Sequence, residues 1–592
     1  MIPPALGTAG FLRLPPHRLS TLLALSILLL PALPSTAQSL PSTADTLYLH
    51  GHILTGAGLG TGHAAAHPVY ASAIAIAQGK VLAVGGDDEL TARYQGPATT
   101  LIDLHGAFAM PGFNDAHVHL ASAGHIKLSV DQTSCRTLAE MQARIARAAA
   151  AAAPGAWLTG GGWDHTLWPG RTLPTRADLD AVTADHPALF QRVDGHIAIA
   201  NSAALAAAGI GPRTPDPPGG HIDRDATGQA TGIVRESPAL ALIETHIPPP
   251  SAEDRRRGLE LALADAAAHG ITSVQDFSTW EDFLVLESLE REGRLPVRVT
   301  EWLPFDAPLP ILKKWRAAHP ADDPMLHTGM LKGFLDGSLG SRTAAMLAPY
   351  ADDPGNSGLP RYQQATLNSM AAERAAAGFQ LGFHAIGDRA VQMALNAFQV
   401  AEAARTQAHV PGQPRFRIEH SQVLAASDFA RYLQLAVIAS MQPSHLLTDM
   451  HWAPARLGPA REQYAYAWKS FLDAGVPLPF GTDYPIEPIT PMRGLYAAVT
   501  RSDEAATMRF HPEQVLSMEQ ALYAYTQASA YAEFAESWKG RLAAGFAADF
   551  VVLDRDLLEA QPAAILTTRV LQTIVAGRVV YRAPEHAPPA AP

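Results

Sequence analysis

The sequence predicts an α/β fold: a (β/α)8 TIM-like barrel carrying a small β-sandwich domain assembled from both ends of the chain. Three observations predict it. Between about 108 and 535, short apolar runs alternate with segments of helical length. Strand-like runs broken by polar or glycine turns occur at both termini. The gap after the first apolar run is long and holds its own Gly/Pro-rich stretch, Gly209–Gly220.

The chain has 592 residues, 47% hydrophobic and 17% charged, so it can bury a sizeable core and is not a disordered chain. Lys and Arg total 44 against 56 Asp and Glu, a net charge of −12 that gives no global attraction to nucleic acid or anionic lipid. Cys135 is the single cysteine, so an intrachain disulfide and any cysteine-built metal site are excluded. It lies outside every motif and reads as inert.

Residues 1–37 read as a cleaved signal peptide. A weakly basic start precedes the Leu-rich run Leu22–Leu33, and Ser35 and Ala37 fit a small-x-small cleavage rule. That run is about a dozen residues, short of the roughly 20 a membrane span needs. The expectation is an exported protein, periplasmic or secreted, with no stable membrane anchor after cleavage. Oligomeric state is not legible, and a homo-oligomer is left open.

Residues 45–107 and 540–582 form the expected sandwich. Ala71–Ala77 and Val81–Gly85 flank a Gly-containing turn, and Ala548–Asp554 and Thr573–Tyr581 have the same style. The barrel is expected over 108–535, with an insertion at about 121–265 folding over its mouth. The strand candidates are Phe108–Phe113, Ile271–Phe277, Val297–Leu303, Met330–Leu335, Phe379–His384, Phe416–His420, Val437–Gln442 and Leu478–Asp483. Helix candidates include Glu281–Glu292, Gln363–Ala377, Arg389–Arg405, Gln463–Ala474 and, in the insertion, Leu138–Ala153.

Polar residues at the ends of these runs carry the chemistry. His117 and His119 alternate onto one face of an extended strand, about 7 Å apart, a spacing at which two imidazoles can grip one ion. Lys332 lies within an apolar run, two runs end in His384 and His420, and another ends in Asp483. A single such residue is usually a packed histidine or a helix cap. The set, at the end of a barrel where catalysis is built, points to a metal-dependent site.

The order His117-x-His119, Lys332, His384, His420, Asp483 resembles the amidohydrolase superfamily. Met110–Phe113, Lys332–Ser338, Arg342–Ala344, His384–Asp388, Ile418–Gln422 and Gly481–Pro485 resemble its YtcJ-like (amidohydrolase-3) branch, which includes N-substituted formamide deformylases. The resemblance covers about 45–582. It implies one or two divalent ions, most simply Zn²⁺, which suits imidazole and carboxylate ligands without excluding iron or manganese. His117, His119 and Asp483 would hold the first. His384 and His420 would hold a second or, as in one-metal relatives, share ligation and polarise the substrate carbonyl. Asp483 would act as general base. Lys332, a cation without a lone pair, could ligate only as an N6-carboxylated carbamate. Otherwise it is a plain lysine ordering Asp336, four residues on, or touching substrate.

The resemblance also implies a pocket lined by Trp163 and His196, with Arg342 and Asp336 on a small-molecule substrate. Asp388 would orient His384. The plainer alternatives are a packed tryptophan, a capping Asn201 and a surface ion pair at Arg342. The expected activity is hydrolysis of an amide or formamide C–N bond by a metal-activated hydroxide. An ester or lactone hydrolase on the same site, and an inactive secreted binding protein, are the alternatives.

Overall fold

The computed structural model describes residues 41–60, 67–193, 196–320 and 323–584. The signal-peptide reading of 1–37 lies outside them. Among the described residues, no helix is long and apolar enough to cross a membrane.

The centre of the fold is one parallel sheet. Its strands are β1 (Phe113–Val118), β2 (Ile271–Asp276), β3 (Arg298–Pro304), β4 (Leu326–Phe334), β5 (Leu381–Ala385), β6 (Arg417–His420) and β7 (Ile438–Ser440), hydrogen-bonded in sequence order. β1 and β2 are buried along their whole length, as expected of strands covered on both faces. Their apolar side chains form one core with the flanking helices, including Phe113, Val274, Leu303, Leu331, Phe383 and Ile418.

The eighth place is filled by an irregular segment rather than a regular strand. Gly481 N donates to Met441 O beside β7 at 3.1 Å, and Asp483 N donates to His117 O of β1 at 2.8 Å. Phe480 and Tyr484 make isolated parallel bridges to Met441 and Val118, so this segment links the sheet's two edges.

Helices follow most strands: Trp280–Arg291, Leu309–Ala318, Gln364–Ala376 and Asp388–Gln407 come after β2 to β5 in turn. The helix expected over Gln463–Ala474 is shorter, Trp468–Asp473. Tyr466 has φ +52°, outside helical geometry, because its N–H donates to Gln422 O at 2.8 Å.

The first apolar run divides between two sheets, a correction to the expected barrel start at 108. Phe108–Pro111 pairs antiparallel with Phe550–Leu553 near the C-terminus. The chain then crosses into the barrel at Gly112, where a Cβ would lie 2.1 Å from Thr272 Cγ2, so only glycine fits. Strands from both termini thus share a six-stranded sheet, with Val570–Val575 and Arg578–Arg582 among them. A four-stranded sheet of Thr46–Leu49, Ala73–Ala77, Lys80–Gly85 and Thr100–Asp103 accompanies it. Tyr48 meets Phe550 edge-on at 5.0 Å in an apolar cluster drawn from both sheets.

Between β1 and β2 the chain forms a six-stranded mixed sheet with its own buried clusters, which also hold Cys135. Helix Leu138–Ala151 packs in it, two residues shorter than expected. The helices Leu120–Leu128 and Ala252–Ala268 join this region to the barrel. They cross at Gly124 and Gly258, where a Cβ on Gly124 would lie 2.3 Å from Gly258 C.

Candidate metal centre

The alternation of β1 puts Asp115, His117 and His119 on one side. Asp115 accepts hydrogen bonds from Thr482 N at 2.9 Å and Thr482 Oγ1 at 2.6 Å, which pins the closing segment against β1. Gly481 permits that approach: a Cβ there would sit 2.6 Å from His117 N. The result delivers Asp483 beside the two histidines. Asp483 and His420 hold φ of +61° and +72°. Aspartate and histidine are among the residue types that adopt positive φ most readily.

Asp483 sits between imidazoles. Its Oδ1 lies 3.2 Å from His119 Nε2 and 3.6 Å from His117 Nε2, and its Oδ2 lies 3.1 Å from His445 Nε2. The ring centroids of His420 lie 5.1 Å from His117 and 4.5 Å from His384. His119 Nδ1 donates to Phe277 O at 3.1 Å, leaving its Nε2 lone pair toward the cluster. His117 Nδ1 lies 2.9 Å from Glu419 Oε2 and 3.3 Å from Gln442 Nε2, so a carboxylate stands behind this ring.

The donor set fits a divalent cation. Burial, reinforced by the charge of Lys332, lowers the His117 pKa to about 4 and the His384 pKa to about 3, and burial also carries His420 well below the usual imidazole range. These rings are therefore neutral, as ligation requires. Burial alone would raise Asp483, but His117, His119, His445 and His420 outweigh it and hold the carboxyl well below its ordinary value. His420 Nδ1 is buried without a hydrogen-bond partner, a cost that an additional bound group would remove.

Lys332 is buried with Nζ 2.9 Å from His117 Nε2 and the faces of Phe334 and Trp302 at 4.9 and 5.0 Å. Burial lowers its pKa to about 8, so a neutral amine is accessible near neutral pH. Asp336 does not act on Lys332 or on an open pocket. Its carboxylate accepts the N–H groups of Ala345, Ile386 and Gly387 at 2.9–3.1 Å and so fixes the turn after β5.

Four other expected positions have structural partners. Trp163 is fully buried, its indole N–H donating to Phe190 O at 2.9 Å within the insertion's core. His196 pairs with Glu236 at 3.0 Å on the surface. Arg342 makes a two-point contact with Asp352 at 3.1 and 2.8 Å. Asp388 accepts from Leu347 N and Arg389 N, while the carboxylate beside His384 is Asp336, 3.5 Å away. In each case a nearer polar or apolar partner satisfies the side chain. The cleft of about 830 Å³ beside His119 is lined instead by Ile126, Phe277, Trp280, Trp315 and Phe334.

Sequence reasoning missed Glu419 and His445. Glu419 was signalled by two charged residues, Arg417 and Glu419, inside one buried strand. His445 follows the Val437–Gln442 run by three residues, on the short helix Ser444–Asp449.

A parallel barrel whose rim gathers imidazoles around a carboxylate is the architecture of a metal-dependent hydrolase. The profile of the amidohydrolase family matches residues 100–581, and the chain belongs to that family. It is 32% identical over 519 residues to the Bacillus subtilis protein YtcJ, whose name assigns it to the amidohydrolases (86% of this chain, 96% of that one). It is 27% identical over 523 residues to the N-substituted formamide deformylase of Arthrobacter pascens (86% and 95%). The crystal structure of an uncharacterized metal-dependent hydrolase from Pyrococcus horikoshii OT3 superposes with a TM-score of 0.71 at 29% identity (87% and 99%).

Proposed function

We propose that the protein hydrolyses an amide or formamide C–N bond at a zinc-type centre held by His117, His119 and Asp483. The observation that carries this reading is the convergence of two imidazoles on one buried carboxylate. The formamide deformylase relative supports nitrogen as the leaving atom. When bound, a divalent ion polarises the carbonyl and makes a water molecule nucleophilic near neutral pH.

The chain's own groups do the rest. Asp483 takes the proton released as water adds to the carbonyl carbon and delivers it to the departing nitrogen, so amide and water become carboxylic acid and amine, which leave as carboxylate and ammonium once the acid's proton passes to the amine. Phe277 and Phe334 keep one side of the centre apolar and restrict water there. Lys332, as a neutral amine, can add CO₂ to give the carbamate form in which it would ligate, and ¹³CO₂ labelling read by NMR tests that step. Export through residues 1–37, and a composite sandwich domain formed by the two terminal sheets, belong to the same proposal.

The test is a panel of amides, formamides and esters assayed before and after chelation. Chelator-sensitive release of amine from amides or formamides is the expected result. Activity confined to esters overturns the C–N assignment, and no turnover of any class by metal-replete protein favours a binding role.

A further inference from the structure

We propose that the substrate carries, besides an apolar group held in the cleft next to His119, an aliphatic arm ended by an ammonium group, and that this arm lies in a second cavity with Glu244 as its counter-charge. This rests on the C–N hydrolase reading above and names the class of substrate that the same site takes.

The second cavity has a volume of about 760 Å³. Pro485 and Ile486, which follow Asp483 closely in the chain, form part of its wall, while His119 forms part of the wall of the first cleft. Asp483 Oδ1 and His119 Nε2 are 3.2 Å apart, so the two cavities meet the centre through neighbouring residues. His125 and Ile126, on the helix Leu120–Leu128, line both. A substrate with two arms can fill both while its scissile bond lies at the centre.

Strand alternation builds the floor of this cavity. In the insertion, Leu158–Trp163 and Ala188–Arg192 pair in parallel, with Thr159 opposite Leu189 and Gly161 opposite Gln191. Leu158 and Phe190 point into the insertion's core, which leaves Thr159 and Gln191 on the other face, lining the cavity.

The lining selects the chemistry of the arm. Ile126, Val193 and Ile486 are 55%, 57% and 67% exposed, and all three line this one cavity. Large apolar side chains left in water around a cavity mark a binding surface, and they suit the methylenes of a chain. Of the carboxylate and guanidinium groups there, Arg192 is engaged by Asp164 at 2.7 Å, and Asp131 is faced by Arg144 at 3.7 Å. Glu244, at the end of the helix Ser237–Glu244, accepts the Gln191 amide at 2.9 Å, and among the described residues no ion pair joins it. An ammonium placed at this carboxylate makes the charge-assisted hydrogen bond that the wall otherwise lacks.

The test uses amides that share one apolar group and carry, on the other side of the scissile bond, an alkyl chain of fixed length ended by ammonium, hydroxyl or carboxylate. The full chain is assayed for kcat/KM when metal-replete, and for Kd by titration calorimetry when chelated. The ammonium amide should exceed the hydroxyl amide about tenfold in both, because its hydrogen bond to Glu244 is charged, and the carboxylate amide should be weakest. Glu244→Gln should bring the ammonium amide down to the level of the hydroxyl one, and Glu244→Lys should transfer the preference to the carboxylate amide. If E244Q fails to fold by circular dichroism, E244K takes its place, and the parent's own series still decides. Three amides that behave alike in the parent overturn the proposal, as does an ammonium preference that survives E244Q. An ammonium preference in Kd without turnover of any amide overturns the C–N reading alone, whereas turnover without that preference overturns only this assignment.

Discussion

Glu419 Oε2 lies 2.9 Å from His117 Nδ1, and both side chains are wholly buried. Burial works against a charged carboxylate, yet Arg417, His117 and Lys332 outweigh it and hold Glu419 at about 2. Glu419 Oε1 also receives Arg417 Nε at 2.9 Å, so one glutamate neutralises a buried guanidinium and orients a proposed ligand. Glu419→Gln should weaken metal binding about ten- to hundredfold and lower stability by about 3 kcal/mol, because Arg417 loses its counter-charge. Metal titration with thermal melting checks both. Unchanged affinity would remove Glu419 from any role at the centre.

Asp483→Asn should reduce kcat at least about hundredfold. It should also reduce metal content, since the amide offers a weaker and uncharged donor. Far-UV circular dichroism should match the parent. An unchanged kcat would take Asp483 out of the reaction.

A second buried pair, beside the ligands, predicts a pH dependence of stability. Asp276, at the end of β2, accepts from Leu120 N at 2.7 Å, and Glu301 accepts from Ser278 N at 2.9 Å. Burial, with the charge of Asp276 and a side-chain hydrogen bond to it, raises Glu301 well above its ordinary pKa. Burial raises Asp276 too. A carboxyl whose pKa is higher folded than unfolded holds its proton more tightly in the native state. Stability therefore falls as pH rises from the usual carboxylate range toward the raised value. Glu301→Gln should remove that loss, melting higher than the parent at pH 8 with a smaller advantage at pH 5. A difference independent of pH would refute this account of the pair.

Phe334 tests the cleft beside His119. Phe334→Ala should raise KM about tenfold for an amide with a bulky apolar substituent, leave small amides little changed and leave metal content intact. Equal effects on both kinds of amide would mean that the substituent binds elsewhere.

Much of this architecture is legible in the sequence. Strand alternation and the ordered appearance of His117, His119, Lys332, His384, His420 and Asp483 at the ends of apolar runs point to the rim. What escapes depends on contacts between distant segments. Nothing local at Phe108–Pro111 reveals that Phe550–Leu553 competes for it. The closing segment at 480–484 makes isolated bridges where its apolar run suggests a strand. Trp163 and Arg342 have residue types suited to a pocket, but Phe190 O and Asp352 lie closer and satisfy them first. His445, 3.1 Å from Asp483 Oδ2, stands on a short helix, where no strand pattern marks it.

The most direct test of the central claim is the melting temperature of the chelated full chain as Zn²⁺ is added. A ligand that binds only the folded form stabilises it by RT ln(1 + [L]/Kd). Convergence of His117, His119 and Asp483 predicts a saturable upward shift in the parent that His119→Ala or Asp483→Ala abolishes. A parent that melts at the same temperature with and without Zn²⁺, or a shift that survives both substitutions, would contradict it.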